Sequence, residues 1–238
     1  MSGPETVKKD RSKLHPIDEK LFEEYPAPLW EAWMKIHPTH INHTTPYFGP
    51  LFYWLLRSLG GVNAIEIGVA QGYSSFFIAS AIKDNNTRYA ANGKYVAIDV
   101  MDKSYIFNPL IKEGLPIEVW TIDSVKVTRE MLLKAFPAGI DLIFQDGWHN
   151  TEHCLKELEI YYPHLKGNGN GLWVMHDVHS WCEEYYEIVM KDPRWDFSER
   201  IRFLNNYGLA ICRKMEGYDY NKRHWPQGDQ PKAEGFVY

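Results

Sequence analysis

Cysteine is scarce in this chain: three residues, Cys154, Cys182 and Cys212, in 238. They are odd in number and widely spaced, which speaks against a disulfide framework and fits a reducing compartment. No CxxC pair is present, so the usual zinc-site spacing is missing too. Positive charge is not in excess either. With 26 Lys and Arg against 31 Asp and Glu, the net charge is −5, and no global basic field argues for a nucleic-acid partner. The small cluster Lys8, Lys9, Arg11 and Lys13 reads as a solvated tail. A basic-then-apolar leader is lacking. So is a long hydrophobic run: residues 47–59 are too few to span a bilayer and include Gly49, Pro50 and Arg57. These absences predict a cytoplasmic protein with no membrane partner. There is no internal repeat.

What is present suits one domain with a sizeable core and a helical N-terminal extension. The expected division is 1–59 for a tail and helical cap, 60–215 for the main domain and 216–238 for a C-terminal tail. Residues 1–16 offer little to bury. Short helices are expected over 17–25 and 29–36, stopped by prolines, and then a polar loop carrying His40 and His43. A helix follows, starting near Thr45-Pro46 or Pro50 and closing at Gly60-Gly61. From there strands alternate with helices, which predicts a parallel sheet covered on both faces. Strands are expected over 64–67, 94–99, 117–122, 140–145 and 172–176, and helices over 74–83, 105–113, 128–136, 152–162 and 181–190. Asp84 to Thr87 reads as loop, and Asn108-Pro109 as a break. Two further strands, 198–204 and 209–213, flank Asn205-Asn206-Tyr207-Gly208, whose turn chemistry suits a hairpin.

The organising stretch is Ala64-Ile65-Glu66-Ile67-Gly68-Val69-Ala70-Gln71-Gly72-Tyr73-Ser74-Ser75. A strand, a glycine turn and a helix N-terminus make a cofactor cradle: glycines let backbone approach a ligand, and free N–H groups face it. The spacing is Glu66-x-Gly68-x-x-x-Gly72, and Ala70 fills the second glycine of the dinucleotide fingerprint GxGxxG. It resembles the first motif of class I S-adenosylmethionine (SAM) methyltransferases. The closing strand hairpin resembles the end of that fold, whose last strand inserts antiparallel between its neighbours. The likeness covers about residues 60–214. It implies a Rossmann-like, doubly wound α/β sheet of seven strands and SAM as cofactor. Asp99, ending the second strand, resembles the family's ribose-binding acid. Asp123 and Ser124 fall where the family binds adenine, and alternatively read as a helix N-cap. Glu66, Gly68, Gly72, Tyr73 and Ser74 would face the methionine end, and Asp146 ends the next strand at the same rim.

The second informative stretch is Gln145-Asp146-Gly147-Trp148-His149, with Met175-His176-Asp177 after the following strand. Adjacent parallel strands lie about 4.8 Å apart. Asp146 and Asp177 are therefore expected side by side, where they repel unless a proton or cation lies between them. A hard divalent ion such as Mg2+ fits. The pattern resembles metal-dependent O-methyltransferases of the macrocin and cephalosporin-biosynthesis type. There the Asp of D-x-x-H is a metal ligand and its His the general base, which implies roles for Asp146 and His149. An acid–Asp pair completes that site; here it is His176-Asp177, so the implied metal set is Asp146, His176 and Asp177, with His176 alternatively a ligand for a softer metal, a second base or a residue turned into the core. His153, His164 and His179 read as surface residues.

The resemblance implies O-methylation of a small-molecule hydroxyl, natural-product or sugar-like. His40, His43, Tyr47, Trp148 and Trp181 are the candidates to line its pocket. The same aromatics would also suit packing of the N-terminal helices or a subunit interface, so self-association stays open. The alternatives are metal-free N-methylation with His149 as base and a non-catalytic SAM-binding protein. Base methylation of nucleic acid is disfavoured, since an NPPY-type motif is lacking.

Overall fold

A computed structural model describes residues 48–204 and 207–217. The expected helices over 17–25 and 29–36, the candidates His40, His43 and Tyr47, the turn residues Asn205 and Asn206, and the tail from 218 onward lie outside the described residues. The chain forms two compact units that divide between Lys126 and Val127.

The first unit opens with helix α1, Phe48–Leu59, which buries Phe48, Phe52 and Leu56 at helical spacing. Then follow strand β1 (Ala64–Ile67), helix α2 (Tyr73–Tyr89), strand β2 (Tyr95–Asp99), helix α3 (Ser104–Lys112) and strand β3 (Ile117–Thr121). The strands are parallel in the order β3-β2-β1, with Ala64 beside Tyr95 and Asp99 beside Thr121. β1 and the first four residues of β2 are buried, as the continuous apolar runs require. Helix α2 extends well past the expected end at Lys83. Its polar stretch is helical because each polar group has a partner. Asp84 accepts from the Tyr53 hydroxyl at 2.6 Å. The Asn85 amide donates to Leu56 O at 2.9 Å and Gly61 O at 2.7 Å. Asn86 exchanges two 2.8 Å bonds with Gly93. Helix α3 likewise runs on through Pro109 rather than breaking there.

The second unit holds helix α4 (Arg129–Ala135), strand β4 (Leu142–Gln145), helix α5 (Thr151–Tyr161), strand β5 (Gly171–His176), helix α6 (Glu183–Lys191) and strands β6 (Phe197–Phe203) and β7 (Leu209–Lys214). Thr128 caps α4, its hydroxyl accepting from Met131 N. Strand order is β4-β5-β7-β6. β4 and β5 are parallel, and β7 runs antiparallel to both β5 and β6. The closing strand therefore inserts antiparallel between its neighbours. β4 is shorter than expected: Ile140 makes only an isolated bridge to Leu165. Trp173, Phe144, Tyr161, Tyr185 and Phe136 fill this unit's core.

Candidate active site

The cradle lies wholly in the first unit. β1 hands over to α2 through Gly68, Ala70 and Gly72, all at positive φ (79°, 40° and 78°). At Gly72 a Cβ would also come within 2.8 Å of Ile106 Cγ2, so glycine is required there twice over. Gly72 is the N-cap of α2 and offers no capping side chain, which suits first-turn amides that take a carboxylate. Asp99 is aimed at this turn. Its Oδ2 accepts from Val69 N at 3.3 Å and its Oδ1 from Met101 N at 2.9 Å. Lys103, nearly buried, spans Asp99 Oδ2 at 3.7 Å and Ala70 O at 3.1 Å. An acid beside a glycine-lined helix start fits an adenosyl group with a charged tail.

Several residues expected in the cradle have interior partners. Glu66 is fully buried, and its carboxylate accepts from the hydroxyls of Ser74, Ser75 (2.8 Å) and Tyr95 (2.5 Å). It thereby ties β1 to α2 and β2, and this network is why an acid is tolerated in an apolar strand. Burial, with Glu66 alongside, pushes the Tyr95 phenol well above its ordinary range. The Ser74 hydroxyl is engaged by Glu66. Tyr73 is buried edge-on against Phe77, and burial raises its phenol. Asp123 caps the turn Ser124–Lys126, accepting from Val125 N at 3.3 Å, and Ser124 is buried.

The second unit gathers the other group. Asp146 follows β4, His149 precedes α5, His176 ends β5 and Asp177 follows it. His149 Nε2 lies 2.6 Å from Asp177 Oδ2 and 3.8 Å from Asp146 Oδ1. His176 Nδ1 lies 2.9 Å from Asp146 Oδ1 and 3.2 Å from Asp177 Oδ2. Hydrogen bonds to Asp146 and then Asp177 push His149 up to about 10. Burial pulls His176 down, but its bonds to Asp146 and Asp177 outweigh this and leave it at about 10. Burial raises Asp177, yet bonds from the two imidazoles bring it down to about 2.

Among the described residues, Asp146, His149 and Asp177 form a group that could hold a metal ion, their ligand atoms within 4.8 Å of one another. His149 thus stands in this group where His176 was expected. His176 is buried edge-on to Phe144 and bridges the two carboxylates from inside. The fit to a cation rests on Asp177. Its Oδ1 is buried with no hydrogen-bond partner among the described residues, and its backbone is left-handed at φ 58°. An orphaned carboxylate oxygen on a strained strand end is costly unless a ligand uses it. The strain is held by Ser180 N and Cys182 N, each 3.0 Å from Asp177 O.

Residues the spacing missed hold this group from behind. Gln145 donates to Glu157 Oε2 at 2.6 Å and to Cys154 O at 3.1 Å, and accepts from Trp173 Nε1 at 3.2 Å. His153 was expected on the surface. Instead its side chain is mostly buried, 3.2 Å from the fully buried Glu157. Only its i,i+4 spacing to Glu157 on α5 hints at the pair. Of the candidate acceptor residues, Trp148 and Trp181 are exposed beside the group. Trp148 meets His153 edge-on, and Trp181 stacks on His149. Tyr207, which stacks on Trp181, was not singled out.

The glycine cradle with its facing acid, the parallel strands and the antiparallel β7 define a class by likeness: a Rossmann-like α/β fold of the class I SAM-dependent methyltransferase type. A family model described as a methyltransferase domain matches residues 65–178. Caffeoyl-CoA O-methyltransferase 2 of Petunia hybrida is 27% identical over 58% of this chain. The chain spans about half the length of that relative, 51%. Among solved structures, the O-methyltransferase of Bacillus cereus in complex with SAH superposes with a TM-score of 0.57 at 17% identity, over 82% of this chain and 95% of that one. The MycE methyltransferase of the mycinamycin pathway, in complex with Mg and SAH, gives 0.52 at 18% identity, over 79% of this chain and 54% of that one. At such identities the likeness is one of fold.

Proposed function

We propose that this chain transfers the methyl group of SAM to a hydroxyl of a small-molecule acceptor, natural-product or sugar-like, with a divalent cation such as Mg2+ at Asp146, His149 and Asp177. The observation that carries this is the convergence of one ligand atom each from Asp146, His149 and Asp177 to within 4.8 Å of one another, with Asp177 Oδ1 buried and lacking a hydrogen-bond partner among the described residues. The MycE structure contains Mg and SAH on the same fold, which supports the same pairing here. When bound, the cation supplies Lewis acidity that acidifies an acceptor hydroxyl, and SAM supplies an electrophilic methyl.

The chain's own residues do the rest. Asp99 and the first-turn amides of α2 hold the ribose and the methionine carboxylate. Asp146 and Asp177 present the hard oxygens that a small divalent ion takes. His176 Nδ1 stands within ion-pair distance of both carboxylates. His149 is the most exposed of the four, at 33%, and so meets the acceptor. That exposure also favours the alternative role of general base, open to His149 only where Asp146 and Asp177 hold the cation without it. At about 10 it holds its proton at neutral pH, so base chemistry needs the neighbouring carboxylates neutralised first. Residues His40, His43, Tyr47 and Trp148 would line the acceptor pocket, with a core over 60–215 flanked by the two tails. All three cysteines are free and buried, which supports a reducing, cytoplasmic setting. Among the described residues no helix is long and apolar enough to cross a membrane.

The test is methyl transfer from labelled SAM to a metabolite extract, with and without chelator. Label is expected in a small molecule, and chelator is expected to abolish it until Mg2+ is restored. Transfer indifferent to chelator would remove the cation and leave metal-free base catalysis by His149. No SAM binding at all would defeat the proposal.

A further inference from the structure

The solvent side of the Asp146–His149–Asp177 group carries a ladder of three rings. Trp181 lies on the His149 imidazole with centroids 5.2 Å apart and planes at 23°. Tyr207 lies on Trp181 at 5.1 Å and 19°. Core packing does not account for this, because Trp181 is 60% exposed and Tyr207 47%. The ladder is nonetheless held firmly. His179 N donates to Tyr207 O at 2.8 Å, and Arg202 donates to Val178 O at 2.8 Å. A Cβ on Gly208 would come within 2.7 Å of His179 Cβ, so glycine is what lets the β6–β7 turn approach this closely. His149 needs such support. It sits in the loop ahead of the cap Asn150, and its ion pair with Asp177 fixes one ring nitrogen but not the ring plane.

We propose that Trp181, backed by Tyr207, is a positioning residue that sets the plane of the His149 imidazole and aims Nε2 at the point shared with Asp146 and Asp177. This rests on reading that group as a metal site. It moves Trp181 from lining the acceptor pocket to holding a ligand, and it gives the β6–β7 turn a part in assembling the site. Flat stacking by a neighbouring ring removes rotational freedom that the imidazole would otherwise lose on binding a cation.

The experiment titrates the full, chelator-treated chain with Mn2+ and counts free ion by electron paramagnetic resonance. Trp181→Ala is expected to bind about tenfold more weakly than the parent, the fold-change matching the upper range for one aromatic pair. Trp181→Phe, which keeps a stacking ring, is expected to restore affinity to within about twofold, and Tyr207→Ala to lose about threefold. Tyr89→Ala, an exposed ring at the end of α2, is expected to bind like the parent. Thermal midpoints measured alongside separate loss of fold from loss of aim. If Trp181→Ala does not fold, Tyr207→Ala carries the test, and parent-like affinity there overturns the proposal. Trp181→Ala binding as tightly as the parent, or Trp181→Phe failing to rescue it, overturns the positioning role while the metal site stands. A parent that binds no Mn2+ removes the metal site and the positioning role together.

Discussion

Asp177 Oδ2 lies 2.6 Å from His149 Nε2 and 3.2 Å from His176 Nδ1, while Asp146 Oδ1 lies 2.9 Å from the same His176 nitrogen. Two carboxylates so placed are tolerable only if positive charge lies among them. Without a cation, imidazole protons supply it, and this couples folding to pH. His149 and His176 are raised from 6.5 to about 10, so their contribution is complete below about 6.5 and is lost as pH rises through about 10. Asp177 is lowered from 3.8 to about 2, so its contribution is complete above about 3.8 and is lost as pH falls through about 2. In chelator, the thermal midpoint is therefore expected to decline between pH 6.5 and 9.5, and the decline to shrink in a His149→Gln, His176→Gln double variant. Scanning fluorimetry across that range checks it, and an equal slope in parent and double variant would contradict it. At this scale the strand-end acids were legible in the sequence, because Asp146 and Asp177 each directly follow an apolar run. The division of labour between His149 and His176 was not legible. It depends on which imidazole the strand end turns inward against Phe144, a tertiary fact. The Gln145–Glu157–Trp173 network was hidden for the same reason, its members lying on three separate elements.

Elements were legible wherever an apolar period was uninterrupted. β1 begins and ends at the expected residues, and the other strands differ by one or two. α2 was not legible past Lys83, since Asp84, Asn85 and Asn86 favour loops locally and are rescued by partners on α1 and before β2. The N-terminus of α2 carries a different burden. Gly72 is left-handed, caps the helix and faces Ile106 at a distance a Cβ could not keep. Gly72→Ala is accordingly expected to destabilise the chain by about 2 kcal/mol, combining left-handed strain with the steric clash. SAH affinity is expected to fall with it, because the shifted turn moves the first-turn amides. Urea unfolding and calorimetric SAH titration measure the two effects. A variant as stable as its parent, with unchanged SAH binding, would show that the turn has room the geometry denies.

Over the described residues the fold was legible as a succession of strand–helix steps closed by a hairpin, and the proposed chemistry draws on two sets of residues. Gly68, Gly72 and Asp99 belong to the first compact unit, and Asp146, His149 and Asp177 to the second. Binding each proposed ligand draws on one set, while the proposed transfer needs both ligands. Asp99→Asn is therefore expected to weaken SAH binding about tenfold, the loss of one charge-assisted hydrogen bond, and to leave Mn2+ affinity within about twofold. Asp146→Asn is expected to do the reverse. Ligand-induced stabilisation gives an independent readout: a ligand at 100 times its Kd adds about 2.7 kcal/mol. SAH should shift the midpoint of Asp146→Asn as it shifts the parent's, and Mn2+ should do so for Asp99→Asn. Both variants are expected to lose methyl transfer. If Asp99→Asn lost Mn2+ binding as severely as SAH binding, the two sets would not be independent. The assignment of cofactor to one and cation to the other would then have to be abandoned.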